Sequence, residues 1–310
     1  MDGRAYRRAP DDKSDILAAD TSLPPLFNLA GSKFRQRKNI LPILARYNRT
    51  LYVEPFCGAG GLFFGKPQES AEILNDANGC IVALLRVLRD EDKRRELDEL
   101  LEMSPMSRAL WYEARDIGRA YMRGESIEKR KIAARLEFYT DETVAAYCLL
   151  YCQWYGFAGD VFGAFGGGCK GAGAARVIGY GARRKKALAD YSARLATVTI
   201  EGLDAIECLR KYDAPGTLFY VDPPYLTASK HGAPGRAYRG CNVDQIKLVE
   251  TLYNLKGSFV LSCYDAPIFE QLHDRAHKFQ FSATTSLARN YRAAKEFERV
   301  ETVYASRFTR

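Results

Sequence analysis

The sequence predicts an α/β protein whose largely parallel sheet is interrupted by a mostly helical segment. Three observations lead there. Short apolar runs alternate with helical patterns toward both ends of the chain, the middle lacks a strand period, and two of the apolar runs end in motifs rich in glycine or proline.

The strand-like runs are Leu51 to Val53, Ala71 to Leu74, Val198 to Ile200, Leu218 to Val221 and Ser258 to Ser262, each brief, mostly apolar and close to turn residues. Apolar residues three or four apart predict helices over Lys33 to Arg46, broken at Pro42, and over Cys80 to Arg89, Lys186 to Ala196, Asp204 to Tyr212 and Val243 to Leu255. Continuous apolar strands between helices imply a sheet covered on both faces. Phe279 to Ala283 and Val300 to Tyr304 read as two closing strands without a long helix between them.

The middle differs. Glu91 to Met122 and Ile127 to Cys152 read as helices with many charges. Ten of the 25 glycines then fall between Gly156 and Gly181, among Phe157, Phe162, Phe165 and Tyr180, before Arg183-Arg184-Lys185-Lys186. Such a loop and basic run suit contact with phosphates, because glycine lets backbone approach and cations release counterions. A solvated helix start after an ordinary loop is the plainer reading of the same residues.

A chain of 310 residues, 47% hydrophobic, supports a sizeable folded interior. Its net charge of +8 and pI near 9.0 favour a polyanionic partner, either nucleic acid or an anionic membrane surface. No apolar run approaches the roughly 18 residues of a membrane span, and the first residues carry no signal-peptide stretch, so a soluble, cytoplasmic protein is expected. The eight cysteines, Cys57, Cys80, Cys148, Cys152, Cys169, Cys208, Cys241 and Cys263, form no Cys-x-x-Cys pair and read as reduced thiols. His273 and His277 fall four apart on a predicted helix but lack a cysteine cluster or third ligand, and no metal is expected.

Chemistry concentrates at two strand ends. Asp222-Pro223-Pro224-Tyr225 follows the run Thr217 to Val221. Proline fixes φ and lacks an N–H, so the strand stops abruptly and the prolyl carbonyls stay available as acceptors. An acid at the carboxyl end of a strand lies where open α/β sheets bind ligands, and Tyr225 offers a face for stacking a flat ring. A strand ending in a capped Pro-Pro turn would look the same in isolation. The second end is Glu54-Pro55-Phe56-Cys57-Gly58-Ala59-Gly60-Gly61, where glycines permit a tight turn and close approach of a cofactor. Asp76 follows the next strand, about twenty residues on, at the spacing of a ribose-binding acid. The full dinucleotide fingerprint is absent, which favours an adenosine-containing cofactor without a pyrophosphate.

Taken in order, Asn28-Leu29-Ala30-Gly31-Ser32-Lys33, Glu54 to Gly60, Asn75-Asp76-Ala77-Asn78 and Asp222 to Tyr225 resemble the motifs of Dam-type DNA adenine methyltransferases of bacteria and bacteriophages, over roughly Leu26 to Asp90 and Lys186 to Tyr304. The resemblance implies an S-adenosylmethionine-dependent, Rossmann-like methyltransferase sheet with an inserted helical target-recognition domain. Its implied domains are a flexible N-terminus over 1–25, a catalytic domain over 26–90 and 186–310, and an insert over 91–185. It also implies cofactor-binding roles for Ala30, Gly31, Lys33, Glu54, Phe56, Gly58, Gly60, Asp76 and Asp204, and catalytic roles for Asp222, Pro223, Pro224 and Tyr225. The blander alternative for Lys33 is a solvated charge, and for Asp204 a helix cap. Lys129, Arg130, Lys131 and Arg183 to Lys186 become candidate anchors for double-stranded DNA, from which the target adenine is flipped.

Gln153 and Trp154 stand where these enzymes commonly carry an Asn-Arg pair, which leaves guanine-adenine-thymine-cytosine, another site and relaxed specificity all open as the target. The implied protein is a monomer or weak dimer, in a restriction-modification setting or outside one. An RNA adenine methylase, a protein-amide methylase and a catalytically inactive DNA-binding relative are the alternatives. Asp222 disfavours the amide, for which Asn is usual.

Overall fold

The computed structural model describes residues 23–27, 29, 31–126, 136–157, 161–166, 188–225, 243–284 and 298–307. Nine strands form among them: β1 (Leu51–Glu54), β2 (Glu72–Asn75), β3 (Gly156–Phe157), β4 (Ala164–Phe165), β5 (Thr199–Glu201), β6 (Thr217–Val221), β7 (Ser258–Cys263), β8 (Ala276–Thr284) and β9 (Glu298–Ser306). Seven make one sheet in the order β5-β2-β1-β6-β7-β9-β8, and β3 pairs with β4 in a separate antiparallel hairpin. Neighbours from β5 to β7 are parallel, while β9 runs antiparallel between β7 and β8. From β1 the chain builds outward through β2 to β5, then crosses back to β6 on the other side. The switch point of the sheet therefore lies between β1 and β6, where ligand crevices form.

Strand periodicity explains the two cores. Tyr52, Leu74, Leu218 and Tyr220 belong to one buried cluster, and their neighbours Val53, Ile73, Phe219 and Val221 to the other. Helices α7 (Ala205–Lys211) and α8 (Gln245–Asn254) cover the second face through Ile206, Leu209, Leu248 and Leu252. The first face is thicker. It carries α1 (Arg37–Leu44), α2 (Gly79–Arg89) and α6 (Leu188–Leu195), with α3 (Glu91–Glu102), α4 (Arg108–Met122) and α5 (Asp141–Tyr155) packed into the same cluster.

Several expectations change. The first helix starts at Arg37, and Pro42 lies inside it without breaking it. Proline in the last turn of an eight-residue helix removes only one donor, and burial of Ile40, Leu41, Ile43 and Leu44 holds the turn. His273 ends a short 3₁₀ turn and His277 lies in β8, so the two share no helix face. α5 is not a charged surface helix: every residue from Thr143 to Trp154 is buried, the mark of a core helix that is apolar on all sides. Thr140 starts it, its hydroxyl accepting the Thr143 N–H at 3.2 Å. At the first described residues, the Leu23 N–H donates to the Phe64 carbonyl at 2.8 Å and the Tyr191 hydroxyl to the Pro24 carbonyl at 2.9 Å.

Candidate active site

The carboxyl ends of β1, β2, β5 and β6 bring the sequence motifs to one edge. After β1, Gly58 and Gly60 adopt φ of +52° and +67°, the left-handed region that costs other residues roughly 1–2 kcal/mol. Close approach adds to that requirement. A Cβ on Gly60 would lie 2.4 Å from the Phe64 ring, and one on Gly61 would lie 2.3 Å from Ser32 Oγ. The glycine turn is thus seated directly on the Ser32-Lys33 segment, with Phe56 half-buried at its start.

Asp76 fixes this turn. Its carboxylate accepts the Gly58 N–H and the Asn78 N–H, each at 2.8 Å. Burial raises its pKa, and the two N–H bonds offset part of that rise. Asn75, quoted in the motif but given no role by the sequence, ties three loops together. Its amide donates to the Pro55 and Leu203 carbonyls at 2.9 and 3.1 Å and accepts the Leu203 N–H at 2.8 Å. Asp204 beyond β5 is exposed and caps α7, accepting from the Ile206 and Glu207 N–H groups at 2.9 and 3.3 Å. Glu54 lies deeper, 2% exposed, and accepts the Tyr52 hydroxyl at 2.7 Å. Burial pushes its carboxyl up to about 8.

Across the switch point, Asp222 meets Lys33. The ammonium lies 2.7 and 3.0 Å from the two Asp222 oxygens, donates to the Gly31 carbonyl at 2.8 Å, and sits 4.6 Å from the centre of the Tyr225 ring. Glu301 on β9 lies 3.7 Å from the same ammonium and accepts the Tyr225 hydroxyl. Tyr225 also packs edge-on against Tyr264, with ring centres 4.6 Å apart. The Pro224 carbonyl is taken by Gln245 Nε2 at 3.2 Å, whereas among the described residues nothing donates to the Pro223 carbonyl. Burial would lower the Lys33 pKa, but Asp222 and then Glu301 leave it raised. Burial raises Asp222 and Glu301, each partly offset by Lys33.

Lys33 was expected beside the cofactor. The structure places its charge on the Asp222 carboxylate, so it joins the two motifs. Glu301, Asn75, Gln245 and Tyr264 had no expected site role. One signal for Glu301 was available: two residues before Val303 on a closing strand, it takes an inward-facing position. Gln153 and Trp154 are buried, and Gln153 donates to the Val161 carbonyl at 2.9 Å beside the β3–β4 hairpin. Ala30, Lys129, Arg130, Lys131 and Arg183, Arg184, Lys185 and Lys186 lie outside the described residues. Among the described residues, no cluster of His, Cys, Asp and Glu forms a metal site, and no helix is long and apolar enough to cross a membrane.

Fold and site together place a glycine turn and an acid-proline-aromatic segment on the two sides of the switch point of an α/β sheet, where such sheets bind ligands. A model of the D12 class N6 adenine-specific DNA methyltransferases matches residues 30–287, and the chain belongs to that family. A search of curated proteins returned no match. The protein is an S-adenosylmethionine-dependent enzyme that methylates adenine in DNA.

Proposed function

We propose that the glycine turn and Asp76 hold the methyl donor, while Asp222 to Tyr225 receive an adenine flipped out of duplex DNA. One observation carries this division: Lys33 belongs to the segment packed on the glycine turn, and its ammonium sits on Asp222. The residues fit an S-adenosyl group. Ser32 Oγ, beside Gly61, is buried without a partner among the described residues, and the Lys33, Asp222 and Glu301 charges leave an excess negative charge to face a sulfonium.

Gly58 and Gly60 would lie against the methionine part, with Phe56 and Glu54 at the base of the turn. Asp76 would hold the ribose, because a carboxylate receiving two N–H groups keeps lone pairs for hydroxyls. Gly31 and Ala30 would complete the amino-terminal wall and Asp204 the adenine end. When bound, S-adenosylmethionine supplies an electrophilic methyl on sulfur.

The exocyclic amine of adenine is a poor nucleophile, since its lone pair is delocalised into the ring. Asp222 and the Pro223 carbonyl would accept its two hydrogens and turn the lone pair toward the methyl. Gln245 holds Pro224, and Tyr225 would stack on the base. As the N–C bond forms and the S–C bond breaks, the nitrogen becomes acidic and its proton passes to Asp222. Positioning supplies much of the rate, up to roughly 7–11 kcal/mol in well-oriented systems. Extruding the base costs a few kcal/mol. Phosphate contacts from the 91–185 segment, taken as the target-recognition insert, and from the basic runs would offset that cost.

The test is transfer of a labelled methyl from S-adenosylmethionine to duplex DNA, single-stranded DNA and RNA, with modified bases located by sequencing. The expected product is N6-methyladenine in duplex DNA at a defined sequence. Label confined to RNA or to single strands, with the donor bound, would overturn the duplex reading.

A further inference from the structure

Glu301 stands outside every motif that led to the site, yet it touches both members of the catalytic segment's polar frame. It accepts the Tyr225 hydroxyl and lies 3.7 Å from the Lys33 ammonium, about one ångström farther than Asp222 does. Lys33 bridges both oxygens of Asp222, and although lone pairs remain, the ammonium's charge weakens that carboxylate as acceptor and base for the target amine. A second carboxylate within reach gives the ammonium somewhere to go.

We propose that Glu301 is a positioning residue that takes the Lys33 ammonium over from Asp222 when the adenine amine arrives, freeing Asp222 to accept the amine's hydrogen. The inference rests on the adenine site assigned above. Lys33 stays protonated throughout, held by Asp222 and Glu301 against the burial that would otherwise discharge it. The charged and titratable groups around Glu301 are Lys33 from the amino-terminal segment, Asp222 and Tyr225 beyond β6, Tyr220 within β6, and Cys263 and Tyr264 at the end of β7. Across the strand pair, β8 presents Phe281 opposite Glu301, which carries no charge. Lys33 is therefore the cation that these acids share among the described residues at this site.

The hand-over makes two linked predictions for Glu301→Gln, which keeps an acceptor for Tyr225 but loses the charge. With the ammonium left on Asp222, kcat falls about tenfold, the scale of one lost charged hydrogen bond, and donor affinity changes little. With Lys33 held on Asp222 alone, the ammonium that lowers the Asp222 pKa never leaves it, so the acid limb of the kcat–pH profile moves to lower pH. Glu301→Asp retains the charge and keeps the parent's acid limb. Parent-like kcat in Glu301→Gln would overturn the proposal, as would a fall in kcat with an unmoved limb, or a limb moved equally by Asp and Gln. Should the Gln variant not fold, a structure of the parent with a non-reactive donor analogue and an accepted duplex decides it. Lys33 Nζ nearer Glu301 than Asp222 supports the hand-over, and Nζ still on Asp222 overturns it. The parent's own transfer is measured alongside: its absence overturns the adenine-site reading and this inference with it, whereas a parent-like variant profile removes this inference alone.

Discussion

The two halves of the site are held in different ways. On the side proposed for the donor, the chain is shaped by backbone: glycines in left-handed conformations, a turn pinned by Asp76, and loops sewn together by Asn75. On the acceptor side, shape comes from charge. Lys33 reaches Asp222 across 189 positions of sequence, and Tyr225 reaches Glu301 across 76. A backbone-built half should fail by losing form and therefore affinity. A charge-built half should keep its form and lose its chemistry.

Asp222→Ala tests the acceptor half with the largest expected effect. Methyl transfer falls at least about a hundredfold, the low end of what a general acid–base group contributes. Calorimetric affinity for the donor stays within about threefold, on the scale of less than 1 kcal/mol. Lys33 keeps Glu301 as a partner, so the melting temperature drops only modestly. Loss of the folded state would show that the acceptor half also builds the fold.

Asn75→Ala tests the donor half. It leaves the Pro55 and Leu203 groups without their amide partner, at about 1–3 kcal/mol for each buried polar group left unsatisfied. Thermal melting should show that loss, and donor affinity should fall more than DNA affinity. Equal losses in both would erase the distinction between the halves.

Glu54→Gln gives the smallest effect, seen only against pH. The folded carboxyl titrates near 8 and the ordinary one near 4.5, so between these values the folded protein holds more protons than the unfolded chain. Stability from this group is complete below about 4.5 and is lost as pH rises through about 8. The variant should flatten the slope of melting temperature over that interval. An unchanged slope would assign the pH dependence to other groups.

Local sequence made much of this legible. The strand ends at Glu54 and Val221 are marked by the residues beyond them, glycines that need positive φ and prolines that cannot continue a ladder. Apolar periodicity located the sheet strands within a few residues. It failed at Pro42, where burial outweighs the loss of one donor, and at His273 and His277, where spacing suggested a helix that the chain does not make. It also read α5 by the charges around it, although Thr143 to Trp154 lie entirely inside.

By itself the sequence marked the residues proposed to carry the chemistry: Gly58, Gly60 and Asp76 at the ends of β1 and β2, Asp222 to Tyr225 at the end of β6. Those are short-range signals, because turn geometry and strand termination are set within a few bonds. Only the tertiary structure decided what they touch. The order β2-β1-β6-β7-β9 places Lys33, Asp222 and Glu301 around one point, and charges interact through space without regard to their distance along the chain.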